Sequence, residues 1–150
     1  MVGSLDYSKL STCSRIVIDG DLGAEKTILG KKLAKDLGIK LISLDCFLNG
    51  NRFIPYWDQI KYDSLQEAVS ASPKVIIEGV CALKVLSKIG VRPDYHIFKK
   101  RITGAIGWEA GGYLPQNVKP PRSALWREII QYYREYKPFE TCDCILHHDA

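Results

Sequence analysis

No apolar run in this chain approaches the roughly 18 residues that a membrane-spanning helix needs. The opening residues 1–14 are polar and lack the apolar stretch of a secretory leader, so a cytoplasmic protein without membrane contact is expected. Cysteines number five, odd and scattered, which excludes a disulfide framework and fits reduced thiols. Charge of either sign is never blocked: a net +4 is spread along the chain, so no nucleic-acid partner is expected. The cations Lys84, Lys88, Arg92 and Lys99 to Arg101 lack interleaved stacking aromatics and are expected to form a solvated face. There is no internal repeat.

What is present is enough for one domain. The 150 residues are 46% hydrophobic, which suffices for a full core, and the mild positive balance suits an acidic small molecule such as a nucleotide. Residues 1–14 read as an irregular lead-in. β-Branched apolar runs predict strands at 15–19, 39–44, 75–78, 95–98 and 142–147. Helical patterns predict helices at 26–37, 64–70, 82–89 and 123–136. In the last of these, Leu125, Ile129, Ile130, Tyr133 and Tyr136 are expected on the apolar face, with Ser123 as its N-cap. Strands alternating with helices predict an α/β fold with a parallel sheet covered on both faces. Residues 99–122 are rich in glycine, proline and cations without a clear period, and read as a lid-like, irregular excursion. The chain stops just after an apolar segment, as a shortened relative of a longer fold would.

Cys142, Cys144, His147 and His148 are metal-ligating types. Alternation along a strand nevertheless divides them between two faces, and a structural zinc is not expected.

The chemistry concentrates between the first strand and the first helix, in GDLGAEKT, residues 20–27. Strand, glycine-containing loop and helix match the P-loop pattern G-x-x-x-x-G-K-S/T at Gly20, Lys26 and Thr27, but Glu25 stands where the second glycine belongs. A P-loop holds phosphate because successive backbone N–H groups and a helix N-terminus converge on it. Gly20, Asp21, Leu22, Gly23, Ala24, Glu25, Lys26, Thr27 and Ile28 are therefore the expected nucleotide cradle, with Lys26 on the phosphates and Thr27 on Mg²⁺. A glutamate in that loop crowds the backbone and opposes anions. At roughly 5–6 Å the repulsion is about 3 kcal/mol per phosphate charge at an effective dielectric near 20, and below about 1 kcal/mol in bulk-like water. Where its carboxylate points decides between the two.

The succession of IDGDLGAEKT, ISLDCF, VIIEGVCAL and DYHIF resembles the uridine kinase and phosphoribulokinase-like branch of P-loop kinases, and the resemblance covers most of residues 15–148. It implies a three-layer P-loop fold with five parallel strands in the order 2-3-1-4-5. It also implies ATP and Mg²⁺ as cofactors and a small hydroxyl-bearing acceptor, nucleoside- or sugar-like. Asp45, at the end of the second strand, would be the general base or a group on the metal shell; its bland reading is a strand-end turn residue. Glu78, at the end of the third, would orient the metal, or simply cap the strand in solvent. Phe47, Arg52, Tyr56, Trp57 and Asp58 fall where the family binds its acceptor, though the aromatics would equally pack a sheet edge. Lys100, Arg101, Arg122 and Arg127 are the cations available for the family's closing lid, with Arg101 taken as the catalytic one. The acidic motif that usually follows the fourth strand is replaced by Lys99-Lys100. The family also builds part of its adenine pocket after the last strand, where this chain has His148, Asp149 and Ala150. The alternative is a catalytically impaired nucleotide-binding or regulatory protein on the same fold. The sequence leaves the oligomeric state open, a homo-oligomer included.

Overall fold

Three consecutive β-branched residues, Ile16, Val17 and Ile18, are fully buried, and the molecule is layered around them. They belong to strand β1 (Arg15–Gly20) of a computed structural model that describes residues 4–103, 107–108, 110–111 and 123–149. A strand apolar on both faces must be covered on both, and here the alternation feeds two cores. Ile16 and Ile18 pack with Leu10 and Leu33, from α1 (Tyr7–Leu10) and α2 (Lys26–Leu37). Val17 faces the other way, toward α3 (Tyr62–Ser70), α4 (Ala82–Ser87) and α5 (Ala124–Tyr136). Each such side chain removed from water contributes about 1.5–3 kcal/mol.

The parallel ladder runs from β2 (Lys40–Ser43) to β3 (Val75–Glu78), then β1, then β4 (Tyr95–Thr103), then β6 (Cys144–Asp149). In order of parallel strands this is the 2-3-1-4-5 arrangement. A sixth strand, β5 (Gly107–Trp108), joins β4 in antiparallel sense. A short helix, α6 (Pro138–Thr141), leads into β6.

Helix α2 has the bounds that its pattern predicts, ended by Gly38 in the left-handed conformation with φ 66°. Elsewhere local patterns fall short in specific ways. The lead-in contains α1, capped by the Asp6 carboxylate. The fourth strand continues to Thr103 instead of ending at 98, and Lys99 to Arg101 are sheet residues. Their partners are remote: β6 pairs with β4 as far as Ile102, and β5 takes the free side of β4 beyond Lys99, where β1 ends. The last strand begins at Cys144, two residues later than expected, and α4 ends at Ser87. Of the lid-like stretch 99–122, residues 104–106, 109 and 112–122 lie outside the described residues, Arg122 among them. Among the described residues, no helix is long and apolar enough to cross a membrane.

Candidate functional site

Gly20 ends β1 at φ 146°, and a Cβ there would lie 2.1 Å from the Lys99 carbonyl oxygen. Only glycine lets β1 and β4 approach so closely where the chain turns into the loop. Gly23 follows at φ 71°, with the Arg101 guanidinium against it. Glu25 then takes φ 59°, in the left-handed region, and precedes α2 without capping it through its side chain. The glycine of the motif is thus needed for its backbone conformation. A glutamate meets the same conformation at a cost of roughly 1–2 kcal/mol.

The loop is held from outside as much as from within. Asp21 turns its carboxyl group away from the cradle into the protein, where it is 1% exposed. There it accepts from the Arg101 backbone N–H at 2.8 Å, the Trp108 indole at 2.7 Å and the Tyr133 hydroxyl. Burial raises its pKa above the usual carboxylate value, against the pull of these donors. One residue along α5, the Tyr132 hydroxyl donates to buried Asp19, whose other oxygen accepts from the Gly20 N–H at 2.8 Å. His96 Nε2 lies 3.7 Å from Asp19, buried and without a hydrogen bond. Two adjacent tyrosines therefore fix both aspartates that flank Gly20.

Lys26 is buried, and its ammonium donates to the Asp21 carbonyl oxygen at 2.6 Å. Burial lowers its pKa, opposed by the carboxyl groups of Asp19, Glu78, Asp21 and Asp45 around it. Thr27 Oγ1 donates to Glu78 Oε2 at 3.1 Å, and the Ser43 hydroxyl donates to the same oxygen. Ser43 and Glu78 are register partners at the ends of β2 and β3. Burial pushes Glu78 upward in pKa, with Asp45 adding to the shift and Thr27 and Lys26 opposing it. The donors here are hydroxyl and carboxylate oxygens, the set that suits Mg²⁺. Among the described residues no cluster of three or more His, Cys, Asp or Glu forms a metal cage, so an ion would share its shell with phosphate oxygens and water.

Glu25 does not pair with Lys26. Its carboxylate faces His148 at 3.6 Å and is 47% exposed, and its charge acts on Lys99. The carboxylate therefore turns toward Lys99, midway along β4, and His148, near the end of β6.

Two cavities meet at Asp45. The first, about 360 Å³, is lined by Gly23, Glu25, Lys26, Thr27 and Ile28 of the loop and by Asp45, Tyr56 and Glu78. The second, about 370 Å³, is lined by Asp45, Arg52, Ile54, Tyr56, Gln59 and Glu128, among others. Asp45, Tyr56 and Leu125 border both. Of the residues expected around the acceptor, Arg52 and Tyr56 line the second cavity. Phe47 packs against the core instead, and Trp57 is buried there with the Lys84 ammonium 3.8 Å from its ring centre. Asp58 pairs with Lys88 at 3.2 Å. Sequence reasoning missed Ser43, Trp108, Glu128 and Tyr132. Their partners are distant in the chain, and the one available signal was that a buried phenol needs a hydrogen-bond acceptor.

No protein-family model matches the chain, and no curated protein matches it. Among solved structures it aligns with a possible uridine kinase from Bacillus stearothermophilus at a TM-score of 0.56, over 89% of this chain and 88% of that one, with 15% identity. Shikimate kinase from Bacteroides thetaiotaomicron aligns at 0.48, over 91% and 87%, with 18% identity. The first likeness, together with the strand order, gives the chain a P-loop kinase fold.

Proposed function

We propose that the chain is a small-molecule kinase that transfers the γ-phosphoryl group of ATP to a hydroxyl group on a nucleoside- or sugar-like acceptor. The observation that carries this reading is the convergence of Lys26, Thr27, Glu78 and Asp45 on one cavity that shares Asp45 with a second. The likeness to a possible uridine kinase supports the same class of acceptor. The first cavity would take the phosphates and the second the acceptor, with Arg52, Gln59 and Glu128 as its polar wall.

In this reading the loop amides from Gly23 to Thr27 bind the phosphates, and Lys26 exchanges the Asp21 carbonyl for a phosphate oxygen. Thr27 and Glu78, with Asp45 nearby, would hold Mg²⁺, which when bound neutralises charge on the phosphates. The acceptor oxygen attacks the γ-phosphorus, the bond to the β–γ bridging oxygen breaks, and the hydroxyl proton passes to Asp45. Arg101, against Gly23, supplies a further positive charge beside the loop. Such a transfer needs alignment and charge neutralisation more than covalent assistance.

A second reading has its own observation. Glu25 lines the phosphate cavity, and Lys26 is already engaged by the loop's own carbonyl, as suits a regulatory protein with an impaired kinase site. Titration calorimetry with ATP–Mg²⁺ on the native chain and on Glu25→Gly separates the two. Binding by the native chain, with phosphorylation of a nucleoside or sugar that Lys26→Ala abolishes, supports the kinase. Binding by Glu25→Gly alone supports the impaired protein, and turnover that survives Lys26→Ala overturns the assignment of the loop.

A further inference from the structure

The phosphate side of the site is braced by many groups, whereas Asp45 stands exposed on the 3₁₀ turn Leu44–Phe47. Its Oδ1 accepts a hydrogen bond from the Tyr56 hydroxyl at 2.7 Å. Tyr56 is 3% exposed and is the first residue of another 3₁₀ turn, Tyr56–Asp58, so its ring is fixed by packing. The residue before it, Pro55, has no capping side chain. The Tyr56 backbone N–H is met from across the cavity by Glu128 Oε1 at 2.9 Å. Glu128 belongs to α5, the helix that also holds Asp19 and Asp21.

We propose that Tyr56 is a positioning residue for the phosphoryl acceptor, aiming the Asp45 carboxylate, and that Glu128 fixes Tyr56 from α5. The inference rests on the kinase reading and changes the part that Tyr56 plays in it, from contact with the acceptor to control of the base. A carboxylate that rotates freely offers either oxygen in any direction. One tied through Oδ1 keeps its plane fixed and leaves Oδ2 to take the acceptor's proton. Misplacing a reacting group by about 1 Å costs on the order of 100-fold in rate. Glu128 acts one bond further back, through the main chain, and a glutamine there keeps an oxygen that can accept the same N–H.

Initial rates with ATP–Mg²⁺ and uridine or D-ribose, beside calorimetric affinity for ATP–Mg²⁺, test the relay. Tyr56→Phe should lower kcat by about 10- to 100-fold while ATP affinity stays within about twofold. The double variant Asp45→Asn with Tyr56→Phe should be no slower than Asp45→Asn alone, because the phenol acts only through the carboxylate. Glu128→Ala should lower kcat in the same sense, and Glu128→Gln should recover most of that loss. Unchanged kcat in Tyr56→Phe, or a loss that adds in full to that of Asp45→Asn, overturns the proposal with the kinase reading intact. A thermal midpoint and an ATP affinity that fall together with kcat assign Tyr56 a structural role and overturn it also. A native chain that binds ATP–Mg²⁺ yet phosphorylates neither uridine, D-ribose nor a wider panel of nucleosides and sugars overturns the kinase reading and this inference together.

Discussion

Glu25 is the residue at which this chain departs from its own motif. The departure costs less than the sequence alone allows for. In the left-handed conformation, glutamate replaces glycine against a steric penalty of roughly 1–2 kcal/mol. Its half-exposed carboxylate faces His148 and Lys99, so water screens it from the cradle. The repulsion then belongs to the bulk-like limit, below about 1 kcal/mol per phosphate charge. Glu25→Gly is accordingly expected to tighten ATP–Mg²⁺ binding by roughly three- to tenfold in calorimetry. A gain of a thousandfold would mean that the carboxylate acts across a dry interior. The motif made the misfit visible at once, but its direction depends on Lys99 of β4 and His148 of β6, which no local pattern reports. Asp21 taught the converse: counted as part of the cradle, its side chain is spent on anchoring the loop to β4, β5 and α5.

Among the elements, α5 is where sequence and structure diverge most usefully. Its apolar periodicity was legible, and the observed helix starts one residue after the expected position. Ile129, Ile130 and Tyr133 are buried as the pattern requires. Tyr132, off that pattern, is fully buried as well, because Asp19 waits beneath it. A buried carboxyl group deprived of a donor costs about 1–3 kcal/mol. Tyr132→Phe should therefore lower stability by that amount, read as a reduced urea midpoint with an unchanged m-value. A loss below about 0.5 kcal/mol would show the bond to be dispensable. The same helix carries Glu128 to the second cavity, so one amphipathic segment braces the loop and borders that cavity. Periodicity predicts which face is apolar; it says nothing of polar groups that reach across a core.

For the whole molecule, the two-faced core follows from β-branched runs apolar on both sides and the strand order is the one the resemblance implied, whereas the β4–β5 pairing and the length of β4 depend on remote partners. The site's electrostatics are global in the same sense. Asp21 is protonated more readily in the folded chain than in the unfolded one, since burial raises its pKa. The folded state then binds the extra proton between the two values, and stability falls as pH rises from the unfolded carboxylate value, near about 4, through the folded one. Relative to Asp21→Asn, the native protein should lose about 1.4 kcal/mol across that window for each unit of the shift, measured by denaturant melts at several pH values. A difference independent of pH would contradict the raised value. Synthesis gives the tyrosine pair another consequence. Tyr132 and Tyr133 lie 113 and 112 residues beyond the aspartates that they serve. At about 5–20 residues per second, a translating ribosome delivers those donors roughly 6–20 s after the acceptors. Until then a nascent chain has β1 and the glycine loop that follows it but not the bolts that hold them, so the first-made part of the site is the last to be finished.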